Sequence, residues 1–264
     1  MKLSSVFTVL LTVTGISVFA QSKAEGLKAT YKAYRMLDIP YEFQAVLYME
    51  QNIALWQELQ NTREIIKDKP LSDEIKKMPP IAPNALKVNA APCIRTDLLK
   101  KEILFHGGIL QSWVVVKDNF TVIDWDITNE TKTVSGYACV KAKGRFRGRD
   151  WAVWFCPDIA LPFGPWKLRG LPGLIIEAED TTGTYIYKAV KIENIEDSTI
   201  LKKDFALLLP FKKSKPISYR ELLQQTEEAE ANVMMEISQK LNIVISKTGT
   251  ARARQEEITF EWEQ

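Results

Sequence analysis

The chain is poor in the residue types that most often carry chemistry. Its 264 residues include one histidine, His106, and three cysteines. It contains no G-x-S-x-G, H-E-x-x-H or C-x-x-C pattern and no phosphate-cradling glycine loop. A lone histidine seldom acts as a base without a nucleophile and an orienting acid nearby, and zinc sites seldom rest on carboxylates alone. The sequence therefore predicts no catalytic residue, no metal site and no cofactor.

An excess of either charge is also missing. The 35 basic and 33 acidic residues give a formal net charge of +2. Dedicated nucleic-acid binders normally have a strong basic excess, concentrated on one face or one helix. We therefore expect no nucleic acid among the partners.

Long apolar runs are absent after the first twenty residues. Lys2 precedes an almost unbroken apolar run over residues 6–19, and small side chains at Val18 and Ala20 fit a cleavage site. The run is shorter than the roughly 20 residues that a membrane-spanning helix needs. The sequence predicts a signal peptide over 1–20, cleavage after Ala20 and a periplasmic or secreted product with no transmembrane segment.

The rest of the chain, residues 21–264, reads as one β-rich domain. Short apolar stretches at 113–116, 120–123 and 184–190 are separated by turn residues, which is typical of an antiparallel meander. Residues 79–93 contain four prolines and predict a loop. We expect a mainly β (α+β) fold.

Two stretches near the N-terminus contribute further elements. Residues 27–37 alternate in the manner of a strand. Residues 41–59 are ambiguous, because their first half alternates and their second half has helical spacing.

A helix is predicted near the C-terminus. Ser218 and Glu221 form a capping box after Pro216. Apolar residues then recur at three- and four-residue steps, which favours one core-facing stripe. The stripe comprises Leu222, Leu223, Ala229, Val233, Met234, Ile237 and Leu241. Residues 243–245 and 258–262 are predicted to be strands.

One hairpin can be placed in register from the sequence. If Arg147 and Gly148 form a two-residue loop, residues whose numbers sum to 295 face each other. One face is then apolar, and the other pairs Arg145 with Asp150 and Cys139 with Cys156. Facing strand residues are within disulfide reach. We predict a Cys139–Cys156 disulfide; the alternatives are reduced thiols or pairing of either cysteine with Cys93.

Basic residues recur at every second position of this hairpin. Alternation on an extended strand places such side chains on one side. The residues concerned are Lys141, Lys143, Arg145, Arg147 and Arg149. An anion-binding site formed by Arg145, Arg147 and Arg149 is one interpretation. The other is a solvated hairpin tip in which Asp150 neutralises Arg145.

Two pairs of carboxylates share a strand face. Asp124 and Asp126 flank Trp125, and Glu177 and Glu179 are spaced in the same way. Glycosidases use two carboxyl groups about 5–10 Å apart, although alternating acids are also what a half-solvated strand presents. The solvent-face interpretation is the simpler one.

Residues 124–192 resemble a known family. The resemblance rests on the segment 124–142, then Arg147-Gly148-Arg149, Trp151 to Trp154, and a glycine- and proline-rich motif. The motif consists of Gly164, Pro165, Gly170, Leu171, Pro172, Gly173, Leu174 and Ile175. This order resembles the GLPGLI family of exported proteins of Bacteroidetes-type bacteria. The resemblance implies a curved antiparallel sheet or half-barrel meander with the C-terminal helix packed on it, and no established activity.

The motif itself is predicted to be a structural turn. Residues 171–174 fit a type II turn, with Pro172 fixing φ and Gly173 supplying a positive φ. Gly170 would provide a place without a side chain where Trp166 or another backbone approaches.

Two functions follow as hypotheses. The main one is a non-enzymatic binding, carrier or docking module, whose partner is an outer-membrane protein or a lipid-like apolar ligand. The alternative is an exported hydrolase that uses paired carboxylates on a polysaccharide-like substrate. A lined apolar cavity would favour the first hypothesis, and a groove with two facing carboxylates the second. The oligomeric state stays open.

Overall fold

The computed structural model of the protein describes residues 26–66, 93–110, 112–202, 215–241 and 256–263. The predicted signal peptide, the predicted loop up to residue 92 and the predicted strand at 243–245 lie outside these ranges.

Within the described residues, twelve strands form one large, curved, unclosed sheet. The strands are β1 (Gly26–Arg35), β2 (Tyr41–Glu50), β3 (Ile53–Ile65), β4 (Cys93–Asp97), β5 (Glu102–Ile109), β6 (Ser112–Asp118), β7 (Trp125–Val134), β8 (Tyr137–Phe146), β9 (Arg149–Cys156), β10 (Leu174–Asp180), β11 (Tyr185–Ile195) and β12 (Ile217–Ser218). Their order across the sheet is β12-β6-β5-β4-β3-β2-β1-β11-β10-β9-β8-β7. All neighbours are antiparallel except β12 and β6. The helices are α1 (Thr199–Lys202), α2 (Tyr219–Leu241) and a 3-10 turn (Glu261–Glu263).

The inner face of the sheet, defined here as the face that bears Tyr31 and Trp56, has an aromatic core. Trp56 packs edge-on against Tyr31 and Tyr187, at ring distances of 5.4 and 5.8 Å. Trp151 continues the row against Tyr187 and Trp166. Alternation along β1 and β2 buries every second residue on this face. The mainly β prediction is confirmed, and residues 41–59 form strands.

The β8–β9 hairpin has the predicted register. Arg145 faces Asp150 and Phe146 faces Arg149. Arg147 and Gly148 both have positive φ, 51° and 83°, which matches the twist that tight two-residue hairpins prefer. Alternation and one short turn were sufficient to place this element.

The cysteines do not form the predicted disulfide. Cys93, Cys139 and Cys156 are all free and buried in the structure. The paired register of β8 and β9 ends at Val140 and Phe155, one step before the cysteines. The Cys139 thiol instead donates to the carbonyl of Tyr137 at 3.4 Å, and burial raises the pKa of Cys139.

The glycine-rich segment 164–173 folds against the inner face, but its glycines have other roles than predicted. Gly170, not Gly173, has a positive φ, 95°. Gly173 is the site of close approach, because a Cβ atom there would lie 2.2 Å from the backbone oxygen of Cys156. Because Gly173 lacks a positive φ, the predicted type II turn over 171–174 is wrong, and the two glycines exchange the roles predicted for them.

This contact gives a stability prediction. Gly173→Ala should lower the free energy of unfolding by about 3 kcal/mol, because the new methyl group can only be accommodated by moving the backbone of β9. Gly108→Ala in β5 is the matched control, since a Cβ there meets nothing within 4 Å. Urea unfolding of both variants measures the difference, and equal midpoints would contradict the argument.

The C-terminal helix begins at the predicted cap. The backbone nitrogen of Glu221 donates to Ser218 Oγ at 3.1 Å, and that of Ser218 donates to the Glu221 carboxylate at 2.6 Å. Leu222 packs over Gly107, where a Cβ atom would lie 2.7 Å from Leu222 Cδ2. Only the first turns are covered, however. Val233 and Met234 are exposed, so the prediction of one core-facing stripe is wrong for them.

Two other strand predictions are also wrong. Residues 120–123 are irregular, residues 258–260 belong to no regular element, and residues 261–262 are part of the 3-10 turn. No helix in the described ranges is sufficiently long and apolar to cross a membrane.

Candidate functional site

A cavity of about 420 Å³ opens between the inner face and the last described segment, residues 256–263. Its charged lining comes from distant parts of the sequence. The charged side chains of the lining include Arg35, Glu58, Arg63, Lys167, Glu256 and Glu257. Aromatic side chains, among them Tyr41, Trp113, Trp166, Tyr185 and Tyr219, form much of the remaining wall.

Glu58 and Glu256, here called the carboxylate pair, meet at Arg35. Arg35 Nη2 donates to Glu58 Oε1 at 2.5 Å and to Glu256 Oε1 at 2.8 Å. The two carboxylate oxygens are therefore at most 5.3 Å apart, the sum of these distances. Tyr187 donates its hydroxyl hydrogen to the same Glu256 oxygen at 2.6 Å. Two acids of this spacing can reach one bond of a bound substrate.

The two carboxylates have different surroundings. The Glu58 side chain is 5% exposed and that of Glu256 is 19% exposed. Burial raises the pKa of Glu58, the negative charge of Glu256 adds to this effect, and the attraction of Arg35 opposes it. Different environments are how one site separates an acid from a base among carboxyl groups.

A bulge in β3, just after Glu58, brings Arg63 to the cavity as well. Gln44 of β2 faces Leu59, whereas Glu42, two residues earlier, faces Glu64, so β3 has three extra residues here. Thr62 stabilises the bulge by accepting from the backbone nitrogen of Gln44 at 2.8 Å and donating to the carbonyl of Leu59 at 2.6 Å. Bulges re-aim side chains and are frequent beside active sites.

The segment that supplies Glu256 is held by a buried ionic cluster, here called the tail anchor. Its members are Asp118, Arg147, Lys167, Tyr219, Glu257 and Glu261. Lys167 Nζ lies 2.6 Å from Asp118 and 2.9 Å from Glu257. Arg147 contacts Asp118, Glu257 and Glu261 at 2.9, 3.2 and 2.8 Å.

Charge balance within the tail anchor favours ionised Asp118. Burial disfavours its charge, but the attraction of Lys167 and Arg147 outweighs burial and lowers the pKa of Asp118. The backbone adds a further link, because the amide of Ile258 donates to the carbonyl of Arg147 at 2.8 Å. The hairpin turn at Arg147 thus positions the residues that follow Glu256.

The three arginines predicted to bind anions do not share one surface. Arg147 belongs to the buried tail anchor, and Arg149 is buried against Asp180 at 2.9 Å. Arg145 is exposed and lies 3.2 Å from Asp150, as the solvated-tip alternative predicts. Each arginine has a carboxylate partner, so the anion-binding interpretation is wrong.

Neither predicted acid pair lines this cavity. Asp124 and Asp126 lie at β7, at one edge of the sheet, and Glu177 and Glu179 lie on β10. Glu177 forms an ion pair with Lys132.

His106 is buried in the wall of the cavity. Among the described residues, no group of three or more His, Cys, Asp and Glu side chains is arranged to hold a metal ion.

Comparison with known proteins gives one family match. Residues 110–221 match a family model described as the N-terminal domain of the N-glycanase peptide. This match covers less than half of the chain. No curated protein matches the sequence significantly.

The solved structures with a similar fold include two of PNGF-II. The structure in space group P21 aligns with a TM-score of 0.52 and 15% identity, covering 78% of this chain and 34% of that one. The structure in space group C2 gives 0.53 and 15%, covering 78% and 33%. At this identity the likeness shows the fold. The chain spans about a third of the length of PNGF-II.

These findings correct two expectations. The matching family is an N-glycanase domain and not GLPGLI, so the resemblance inferred from residues 124–192 was wrong. The non-enzymatic carrier or docking module is contradicted on the same evidence. The hydrolase alternative fits better.

Proposed function

We propose that the chain is a hydrolase of protein-linked carbohydrate, with the carboxylate pair of Glu58 and Glu256 as its acid and base. The observation on which this proposal depends is the meeting of these two carboxylates at Arg35, in an open cavity with aromatic walls. The family match over residues 110–221 supports the class of substrate.

The two carboxyl groups would divide the work. Glu58 is the more buried of the two, burial raises its pKa, and it acts as the proton donor to the leaving atom of the substrate. Glu256 accepts a proton from the attacking water. The water oxygen bonds to the carbon under attack, the bond from that carbon to the leaving atom breaks, and one proton moves from Glu58 and one to Glu256. Arg35 holds both groups in place.

The cavity suits a carbohydrate. Its volume of about 420 Å³ falls within the usual range for small-molecule sites. Aromatic side chains such as Trp166 and Tyr185 give its wall a rigid apolar boundary. The charged groups at its base can bind hydroxyl groups.

We also infer that the protein is exported, to the periplasm or beyond. The expected signal peptide over residues 1–20 supports this, and glycosylated proteins outside the cell would be the substrates. Detection of a mature N-terminus at Gln21 would support export, and an intact N-terminus at Met1 in the native host would contradict it.

A direct assay tests the activity. Purified protein comprising residues 21–264 is incubated with an N-glycosylated glycopeptide, and mass spectrometry follows the released glycan and the peptide. We expect both products to accumulate. An unbranched polysaccharide without peptide serves as the comparison substrate and should react more slowly. Unchanged glycopeptide at high enzyme concentration, with folded protein, would contradict the proposal.

A further inference from the structure

We propose that Arg63 makes this cavity select substrates with an anionic group, which the guanidinium binds next to the reacting bond. This inference rests on the proposed function, since it names a feature of the substrate at the same site. The anionic group is an oxyanion, as found in a carboxylate-bearing sugar or in a phosphorylated sugar.

The position of Arg63 is built by the bulge in β3. Glu58 faces the cavity, and along a regular strand a residue five positions later would point to the opposite face. The three extra residues between Leu59 and Glu64 shift the alternation of side chains between the two faces by an odd number. Glu58 and Arg63 therefore both line the cavity. The two hydrogen bonds of Thr62 stabilise this bulged conformation of β3.

The guanidinium of Arg63 is oriented but not neutralised by close contacts. Its Cζ lies 4.6 Å from the ring centre of Tyr41, so the planar group stacks on an aromatic face. Its Nε has no hydrogen-bond partner in the described part of the chain. Arg35, by contrast, directs Nε, Nη1 and Nη2 to acceptors on Glu58, Glu256 and Tyr41. Arg63 is therefore the cavity arginine whose hydrogen-bonding capacity the surrounding side chains leave partly unused; its Nε is buried, so a ligand would bind the Nη end.

The chemistry of arginine determines the kind of ligand. A guanidinium presents parallel N–H donors that match two oxygens of a carboxylate or a phosphate, and stacking on Tyr41 reduces the conformational freedom lost on binding. The charge of Arg63 acts on Glu58 across the cavity, but a neutral sugar would offer the guanidinium no pair of oxygens to bind. We therefore expect acidic substrates to bind more tightly than neutral substrates of the same size.

Binding measurements with a slowed enzyme test this selectivity. The Glu58→Gln variant is titrated calorimetrically with three matched glycopeptides, whose terminal sugar is neutral, carboxylate-bearing or phosphorylated. We expect at least one acidic ligand to bind about tenfold more tightly than the neutral one. Adding Arg63→Met should reduce that ratio to about one, and adding Arg63→Lys should keep part of it. Adding Arg145→Met, which removes an exposed arginine on another hairpin, should leave the ratio of acidic to neutral ligand affinity unchanged.

Whichever of the two acidic ligands binds more tightly shows whether the oxyanion of the substrate is a carboxylate or a phosphate. Equal affinities for all three ligands, or a preference that survives Arg63→Met, would overturn this inference. Neither result depends on turnover, so the selectivity can fail while the hydrolase proposal stands. Absence of hydrolysis with the selectivity intact would instead contradict the proposed reaction.

Discussion

Glu58→Gln is expected to lower the rate of glycopeptide hydrolysis by about 10³-fold, the usual contribution of a positioned general acid. Glutamine preserves the size of the side chain and a hydrogen bond to Arg35, but it has no proton to give to the leaving group. The affinity for substrate should change little, so the loss should appear in kcat. Steady-state kinetics with the wild type and the variant measure the effect.

The pH dependence separates the two carboxylates. The wild type needs neutral Glu58, so its rate should fall as the pH rises through the raised pKa of Glu58. Glu58→Gln should remove this limb of the profile. Glu256→Gln should also be nearly inactive, since the base is lost. Glu177→Gln, which alters a carboxylate paired with Lys132 outside the cavity, is the matched control. A fully active Glu58→Gln variant would exclude the proposed acid.

Local patterns in the sequence predicted the elements that depend on neighbouring residues. The register of the hairpin around Arg147 and Gly148 follows from alternation and a two-residue turn. The cap at Ser218 and Glu221 involves residues three positions apart. Each of these features is set by interactions between residues that are close together in the sequence.

The candidate site could not be predicted from local sequence patterns. Glu58 and Glu256 are separated by almost the whole domain, and no periodicity connects them. Glu58 falls in a stretch that was ambiguous between strand and helix. The three-residue bulge beyond it changes which side chains face inward, and only Thr62 marks it. Charge gave a misleading signal, because Arg147 and Arg149 alternate as surface residues do yet are buried in ion pairs.

Arg147→Met is the second variant with a large expected effect. Arg147 is buried and contacts three carboxylates of the tail anchor. Removing one partner from a buried ionic cluster typically destabilises a protein by about 3–5 kcal/mol, because the remaining charges stay buried without compensation. Urea unfolding at neutral pH should show this loss. Arg145→Met on the same hairpin removes only an exposed ion pair and should change stability little.

The sign of the pH effect follows from Asp118. Its pKa is lowered in the folded protein, so its ion pairs stabilise the fold at pH values above about 4, the unfolded value. This stabilisation is lost as the pH falls through the lowered pKa. The difference in stability between the wild type and Arg147→Met should therefore shrink at low pH, and a difference that grows there would contradict the assignment.

The same variant connects stability with catalysis. The tail anchor holds residues 257–261, and Glu256 immediately precedes them. Arg147→Met should therefore increase hydrogen exchange of residues 256–263 and lower hydrolysis even at temperatures where the sheet remains folded. Loosening of this segment with full activity would show that Glu256 is not required. Lost activity with an unchanged segment would mean that Arg147 acts on the site by another route.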